Sequence, residues 1–165
     1  GQPRGILTDS TLGVTGGTGV SGAFTADNMI DLHYSVIAPY RASQSCYWIT
    51  KDSSLATIRK FKDTTNQYIW QPSLVAGAPD MVLGKPIVTD PFVPATALSA
   101  KSLVFGDFSQ SSSFGDRRGI MVEVLREAYA NKLQVGVLAH ERFHIVNHDL
   151  GTTTVKGPVA ALYGE

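Results

Sequence analysis

One run of residues has the types and spacing to perform chemistry directly: His140-Glu141-Arg142-Phe143-His144. On a helix its two imidazoles would lie one turn apart on one face with Glu141 beside them. That supplies two zinc ligands and a general base, the arrangement of a zinc-dependent peptidase. Val137, Leu138, Phe143, Ile145 and Val146 offer an apolar setting. Arg142 opposes the site by placing a cation beside the metal. A third ligand is hard to supply, because His148 only continues the four-residue spacing and Asp149 and Glu165 are the carboxylates left downstream. The periodicity also points away from a helix. Leu133, Val135 and Val137 alternate with Gln134 and Gly136, and Phe143 and Ile145 keep the same parity, a period nearer two than 3.6. On a strand, His140, Arg142 and His144 share one face while Glu141 takes the other. Residues 133–148 are therefore predicted to be extended, and the zinc peptidase is the alternative reading.

No other set of residues suggests a reaction. No serine stands in a Gly-x-Ser-x-Gly elbow, and the carboxylates are scattered. No catalytic, cofactor-binding or metal-ligating residue is assigned. Gly17-Thr18-Gly19 has the look of a phosphate-cradling loop, but it lacks the lysine and hydroxyl of a P-loop and no hydrophobic strand leads into it. Cys46 is the only cysteine, so neither an intrachain disulfide nor a thiolate zinc site is available, and its apolar neighbours make it a small core residue.

The elements around these residues follow from pattern. Residues 8–22, with five glycines among Ser and Thr, read as a flexible loop. Thr25 caps a helix carrying Met29, Ile30, Leu32, Val36 and Ile37 until Pro39, with His33 on its flank. Residues 45–50 form a buried strand. Asp52 or Ser53 caps a second helix, in which Leu55 and Ile58 oppose a solvated basic face at Arg59 and Lys62. Residues 67–71 and 81–88 form two arms of a hairpin, with Pro86 at an edge or bulge. A strand returns at 102–108 and ends in a Gly106-Asp107 turn. A serine-rich connection covers 109–115, residues 118–126 form a further strand, and 152–154 and 159–162 add short terminal pieces.

The chain has 165 residues, enough for one domain with its own core that buries roughly 70% of the surface exposed on unfolding. Fourteen Lys and Arg balance fourteen Asp and Glu, so no net field draws in nucleic acid or an anionic membrane. Only 17% of residues are charged, below the usual quarter, which leaves surface available for contact. No apolar run reaches the length of a membrane span and no signal segment opens the chain, so a soluble protein is expected. It begins at Gly1 without Met, as a fragment or processed product would.

An ordered series of landmarks sets the functional expectation. Gln2-Pro3-Arg4-Gly5-Ile6-Leu7 and Arg41 are followed by Tyr47-Trp48-Ile49-Thr50-Lys51, Phe61-Lys62-Asp63 and Gln67-Tyr68-Ile69. Then come Leu83-Gly84-Lys85-Pro86-Ile87, Phe105-Gly106-Asp107-Phe108, Arg117-Arg118-Gly119-Ile120 and Glu141-Arg142. In this order and spacing the series resembles the major capsid proteins of tailed bacteriophages, with the Hong Kong 97-like fold. The resemblance implies an α+β fold and a structural subunit rather than an enzyme. Residues 1–22 would be a Gly/Ser/Thr-rich flexible segment. Residues 23–110 would form the A-domain, a mixed sheet flanked by helices, and 111–165 the long C-terminal strands of the P-domain. The family's N-terminal arm, E-loop and spine helix would precede Gly1. The implied partners are other capsid subunits, in pentamers and hexamers of the full-length protein, with no sequence-specific nucleic acid, no membrane and no cofactor. The piece alone would be monomeric or weakly oligomeric. The implied place is the virion capsid, assembled in the host cytoplasm. Some members cross-link a lysine to an asparagine, a role not carried over to Asn147.

Overall fold

In the computed structural model, which describes residues 4–16, 25–70, 80–149, 151–152 and 154–164, the fold centres on two β-branched and aromatic runs that pair side by side. These are β2 (Cys46–Thr50) and β5 (Lys101–Asp107), antiparallel with Trp48 opposite Phe105. Around them lie β1 (Thr11–Thr15), β3 (Met81–Val82), β4 (Lys85–Thr89) and, from the end of the chain, β8 (Val159–Tyr163). The sheet order is β1-β8-β5-β2-β4-β3. It is mixed: β1 runs parallel to β8 and β2 parallel to β4, and the other pairings are antiparallel. The remaining long strands, β6 (Ser112–Leu125) and β7 (Gly136–Asn147), pair only with each other.

Alternation along β5 sends its side chains into two separate cores. Leu103 and Phe105 join Trp48, Cys46, Ile87, Ala160 and Leu162 on one face, covered by α2 (Ala26–Ser35) and α4 (Asp52–Arg59). Val104 joins Val159 and Ala161 on the other, where α1 (Ile6–Asp9) contributes Ile6 and Leu7, and α5 (Phe108–Ser111) contributes Phe108. Trp48, Phe105, Leu32, Leu103 and Leu162 are fully buried. Each such side chain contributes roughly 1.5–3 kcal/mol by leaving water. Cys46 is buried as a core residue, and burial pushes its thiol up.

Local chemistry sets the ends of these elements. Thr25 closes α2 with a reciprocal box: its hydroxyl accepts from the Asn28 backbone N–H, and the Asn28 side chain accepts from the Thr25 N–H at 2.9 Å. The helix stops at Ser35, earlier than the apolar spacing through Ile37 predicts. Pro39 opens a separate turn, α3 (Ala38–Arg41), where its missing N–H costs nothing. The cap of α4 is Lys51, with no side-chain bond, and Asp52 is the first helical residue, favourable toward the dipole.

Several other expectations change. Residues 6–15 form α1 and β1 rather than a flexible loop; the rest of that glycine-rich tract, 17–22, lies outside the described residues. Lys101 orders this start by donating from Nζ to the carbonyls of Leu7 and Ser10 at 2.6 and 2.7 Å. The hairpin arm at 67–69 pairs back on 61–63 through a Lys62–Tyr68 bridge, with Asp63 accepting from Thr65 and Gln67, instead of pairing with 81–88. β3 and β4 make their own hairpin over Leu83 and Gly84, both at positive φ, the two-residue turn that matches strand twist. Pro86 lies near the start of β4, opposite Met81 of the edge strand β3. Gly106 sits inside β5, paired with Tyr47 and Val159, rather than in a turn, and only glycine fits there because a Cβ would come within 2.1 Å of the Pro158 carbonyl. Asp107 then caps α5 by accepting from the Ser109 N–H at 3.0 Å, so helix and strand replace the expected serine-rich connection. β8, expected as a short terminal piece, is a buried strand between β1 and β5.

Candidate assembly surface

The β6–β7 ribbon leaves the sheet at Ser112 and Asn147 and ends in a turn containing a short 3-10 helix, Ala130–Lys132. At about 3.4 Å per residue, fourteen residues extend roughly 45 Å. Ladder partners share a face, so the register sorts its side chains. One face carries Phe114, Val122 and Val124 with Val137, Ala139, Phe143 and Ile145, interrupted by Asp116 and Glu141. Phe114 and Phe143 stack at 5.8 Å. Phe114, Val122, Val124, Val137 and Phe143 are nevertheless 52–68% exposed. The opposite face mixes Met121, Glu123 and Leu138 with His140, Arg142 and His144. A two-stranded ribbon is marginal in water by itself, and this one leaves apolar side chains exposed on both sides of the Asp116 and Glu141 interruption.

The base of the ribbon is fastened to α1. Asn147 donates from Nδ2 to the Arg4 carbonyl at 3.1 Å and to Asp9 Oδ2 at 2.9 Å, and accepts at Oδ1 from Ser112. Arg4 also pairs with Asp9 at 3.0 Å. The His148 N–H donates to the Ser111 carbonyl, and the Tyr40 hydroxyl bonds Asp149 at 2.5 Å. That Asp149 contact holds the phenol above its ordinary value. All three polar functions of the Asn147 amide are thus spent on holding the ribbon at its root.

The candidate zinc residues fall on β7, as the two-residue period predicts, but the strand begins only at Gly136: Leu133, expected to be extended, closes the 3-10 helix in the left-handed region at φ 53°. His140 and His144 share a face but lie four residues apart on a strand, about 13 Å, whereas two ligands of one zinc sit within about 4 Å of each other. Arg142 stands between them and Glu141 alternates to the other face. The peptidase arrangement therefore lacks its geometry, and among the described residues no group of three His, Cys, Asp or Glu converges. What occupies this stretch instead is a pair of irregularities in β6, between Asp116 and Arg118 and between Arg118 and Met121, each with one extra residue against β7. They open a cavity of about 270 Å3 walled by Arg117, Gly119, Met121, His140, Glu141 and Arg142.

A second cavity, about 240 Å3, lies between α2, α4 and β3 and is lined by apolar side chains including Met29, Ile58, Phe61, Trp70 and Met81. Its rim is tied by Arg59, which pairs with Asp80 and lies over the Trp70 ring at 5.3 Å, so the basic face expected on α4 is partly used inside the chain. His33, half-buried, packs on Phe105 and Trp48, and burial with nearby Arg41 and Lys85 lowers its pKa. It flanks the core, packed against the aromatic rings of Trp48 and Phe105. Among the described residues, no helix is long and apolar enough to cross a membrane. The features that sequence reading missed are the split of the ribbon into two faces, the double irregularity in β6 and the role of Asn147. The first was visible in the parity of Val122, Val124, Val137 and Phe143; the other two depend on register.

Comparison with known proteins agrees with this architecture. No curated protein matches the chain. Among solved structures, the capsids of native and empty GTA particles match with TM-scores of 0.77 and 0.76 at 26% identity, over 99% of this chain. The chain spans 56–57% of the length of those capsid chains. A structure from Mycobacterium phage Adephagia shares the fold at 14% identity, with a TM-score of 0.59, over 99% of this chain and 55% of its own. The family model described as the phage capsid family matches residues 1–148. With its mixed sheet, flanking helices and long paired strands in the Hong Kong 97-like arrangement, this chain belongs to the phage capsid family.

Proposed function

We propose that the chain is part of the structural subunit of an icosahedral phage or prophage head, and that the apolar face of the β6–β7 ribbon is a protein–protein surface of the shell. The observation that carries this reading is the ribbon itself, which holds Phe114, Val122, Val124, Val137 and Phe143 in water on one face. These five side chains are 52–68% exposed, so covering what remains of them would yield roughly 4–9 kcal/mol gross, about 0.6 of the 1.5–3 for each full burial, reduced by the cost of ordering the partner. In this reading the six-stranded sheet with α1 to α5 is the A-domain-like unit, and β6 and β7 are the P-domain strands. The boundary within residues 111–165 then falls after Asn147, because β8 returns to the main sheet. The role is structural, the partners are other copies in pentamers and hexamers, and the location is the virion capsid, reached from assembly in the host cytoplasm.

The test is electron microscopy of the full-length protein with Val122→Lys and Val137→Lys together, beside His140→Ala and His144→Ala. Closed particles are expected from the unaltered protein and from both histidine variants, and dispersed subunits from the double lysine variant. Particles of normal yield from the lysine variant would refute the assignment of this face.

A further inference from the structure

The double irregularity in β6 gathers more positive charge than the chain uses. Arg117 and Arg142 line one small cavity with His140, and Glu141 is the single acid in its wall. Neither guanidinium has an ion pair among the described residues. Irregularities of this type re-aim side chains, and here two arginines wall one opening. A guanidinium fork matches the two oxygens of a carboxylate.

We propose that this cavity receives an Asp or Glu side chain from a neighbouring copy of the same protein, locking register between subunits. The inference rests on the capsid reading above, which supplies the neighbouring copy. Two features favour a single carboxylate over nucleic acid. The cavity, about 270 Å3, has the size of one or two side chains rather than a track. Glu141 in its wall and Glu123 two pairs along the same ribbon would repel a continuous polyanion, and the chain as a whole is neutral.

The experiment uses the full-length protein carrying Arg117→Gln and Arg142→Gln, with thermal melting to confirm that the fold is unchanged. Both side chains are exposed, so the melt should not move. The critical concentration for particle formation should rise at least tenfold, and Arg142→Glu should be rescued by a second copy in which one Asp or Glu is changed to Lys. An unchanged critical concentration in the double variant would overturn the proposal. So would binding of a 20-base-pair duplex that the double variant loses while assembling normally, which would assign the cavity to phosphate. If the unaltered protein forms no particles, the capsid reading itself fails and this inference falls with it.

Discussion

Replacing Asn147 with Ala should release the root of the ribbon from α1. The amide makes three hydrogen bonds, to the Arg4 carbonyl, the Asp9 carboxylate and the Ser112 hydroxyl, at 2.9–3.1 Å. Two are between neutral groups, worth about 1 kcal/mol each, and the one to a carboxylate about 1.5–3. Asn147 is half-buried and the Asp9 side chain is only 10% exposed, so water replaces these partners incompletely. The expected loss is about 2–4 kcal/mol. For a chain of this size each kcal/mol lowers Tm by roughly 2–4 °C, so the midpoint should fall by about 5–15 °C. Asn147→Asp separates hydrogen bonding from volume. It keeps the acceptor for Ser112 but sets a second carboxylate against Asp9, so it should be worse than Ala at neutral pH and recover as acid protonates one of the pair. Thermal melting followed by circular dichroism at pH 7 and pH 4 is the assay. A fall of less than about 2 °C for Asn147→Ala, or the same deficit for Asn147→Asp at both pH values, would refute the idea that this amide anchors the ribbon.

Leu162→Ala, in the fully buried centre of β8, should cost about 2–5 kcal/mol by chemical denaturation, the value for a core strand and not for a loose terminus. Gly106→Ala should be at least as damaging, since its methyl would meet the Pro158 carbonyl and Val159 Cα, and soluble yield with urea unfolding would show it. Burial pushes the Asp107 carboxyl up, but hydrogen bonds from Ser109, Ser43 and the backbone of Ser109 and Gln110 outweigh this and hold it below 3.8. Its stabilisation is complete above the unfolded value and is lost as pH falls through the lower folded value. Asp107→Asn should therefore narrow the stability gap between pH 7 and pH 3, measured by urea unfolding at each. His140→Ala and His144→Ala, both at exposed positions, should leave stability within about 0.5 kcal/mol. Elemental analysis should find no stoichiometric zinc in the parent chain.

The legible parts of the fold were those set by neighbours in sequence. The Thr25 cap, the strand at residues 46–50 and the two-residue period through residues 136–147 follow from local propensity and alternation, and the last of these separates His140 from His144, whereas the apparent continuation of that period back to Leu133 is broken by the 3-10 turn. What stayed hidden depends on partners far along the chain. Nothing near Val159–Leu162 says that this short run fills the gap between β1 and β5. Gly106 reads as a turn because its neighbour Asp107 favours one, whereas the Pro158 backbone fifty residues later is what requires a glycine. The tract at 8–15 looks too poor in apolar residues to order itself; Lys101 and β8 order it. The cavity of Arg117 and Arg142 exists only because two extra residues shift the register of β6, and no periodicity reports that.

The central claim, that the apolar face of the ribbon is covered by protein in the assembled head, is open to one direct measurement. Cys46, the one cysteine of this sequence, is buried, so with any cysteine elsewhere in the full-length protein replaced by Ser, a single Val137→Cys substitution places one reactive thiol on that face. Maleimide labelling of the full-length protein should be fast in the dissociated subunit and slowed at least a hundredfold in purified particles. Equal labelling rates in the two states would contradict the account.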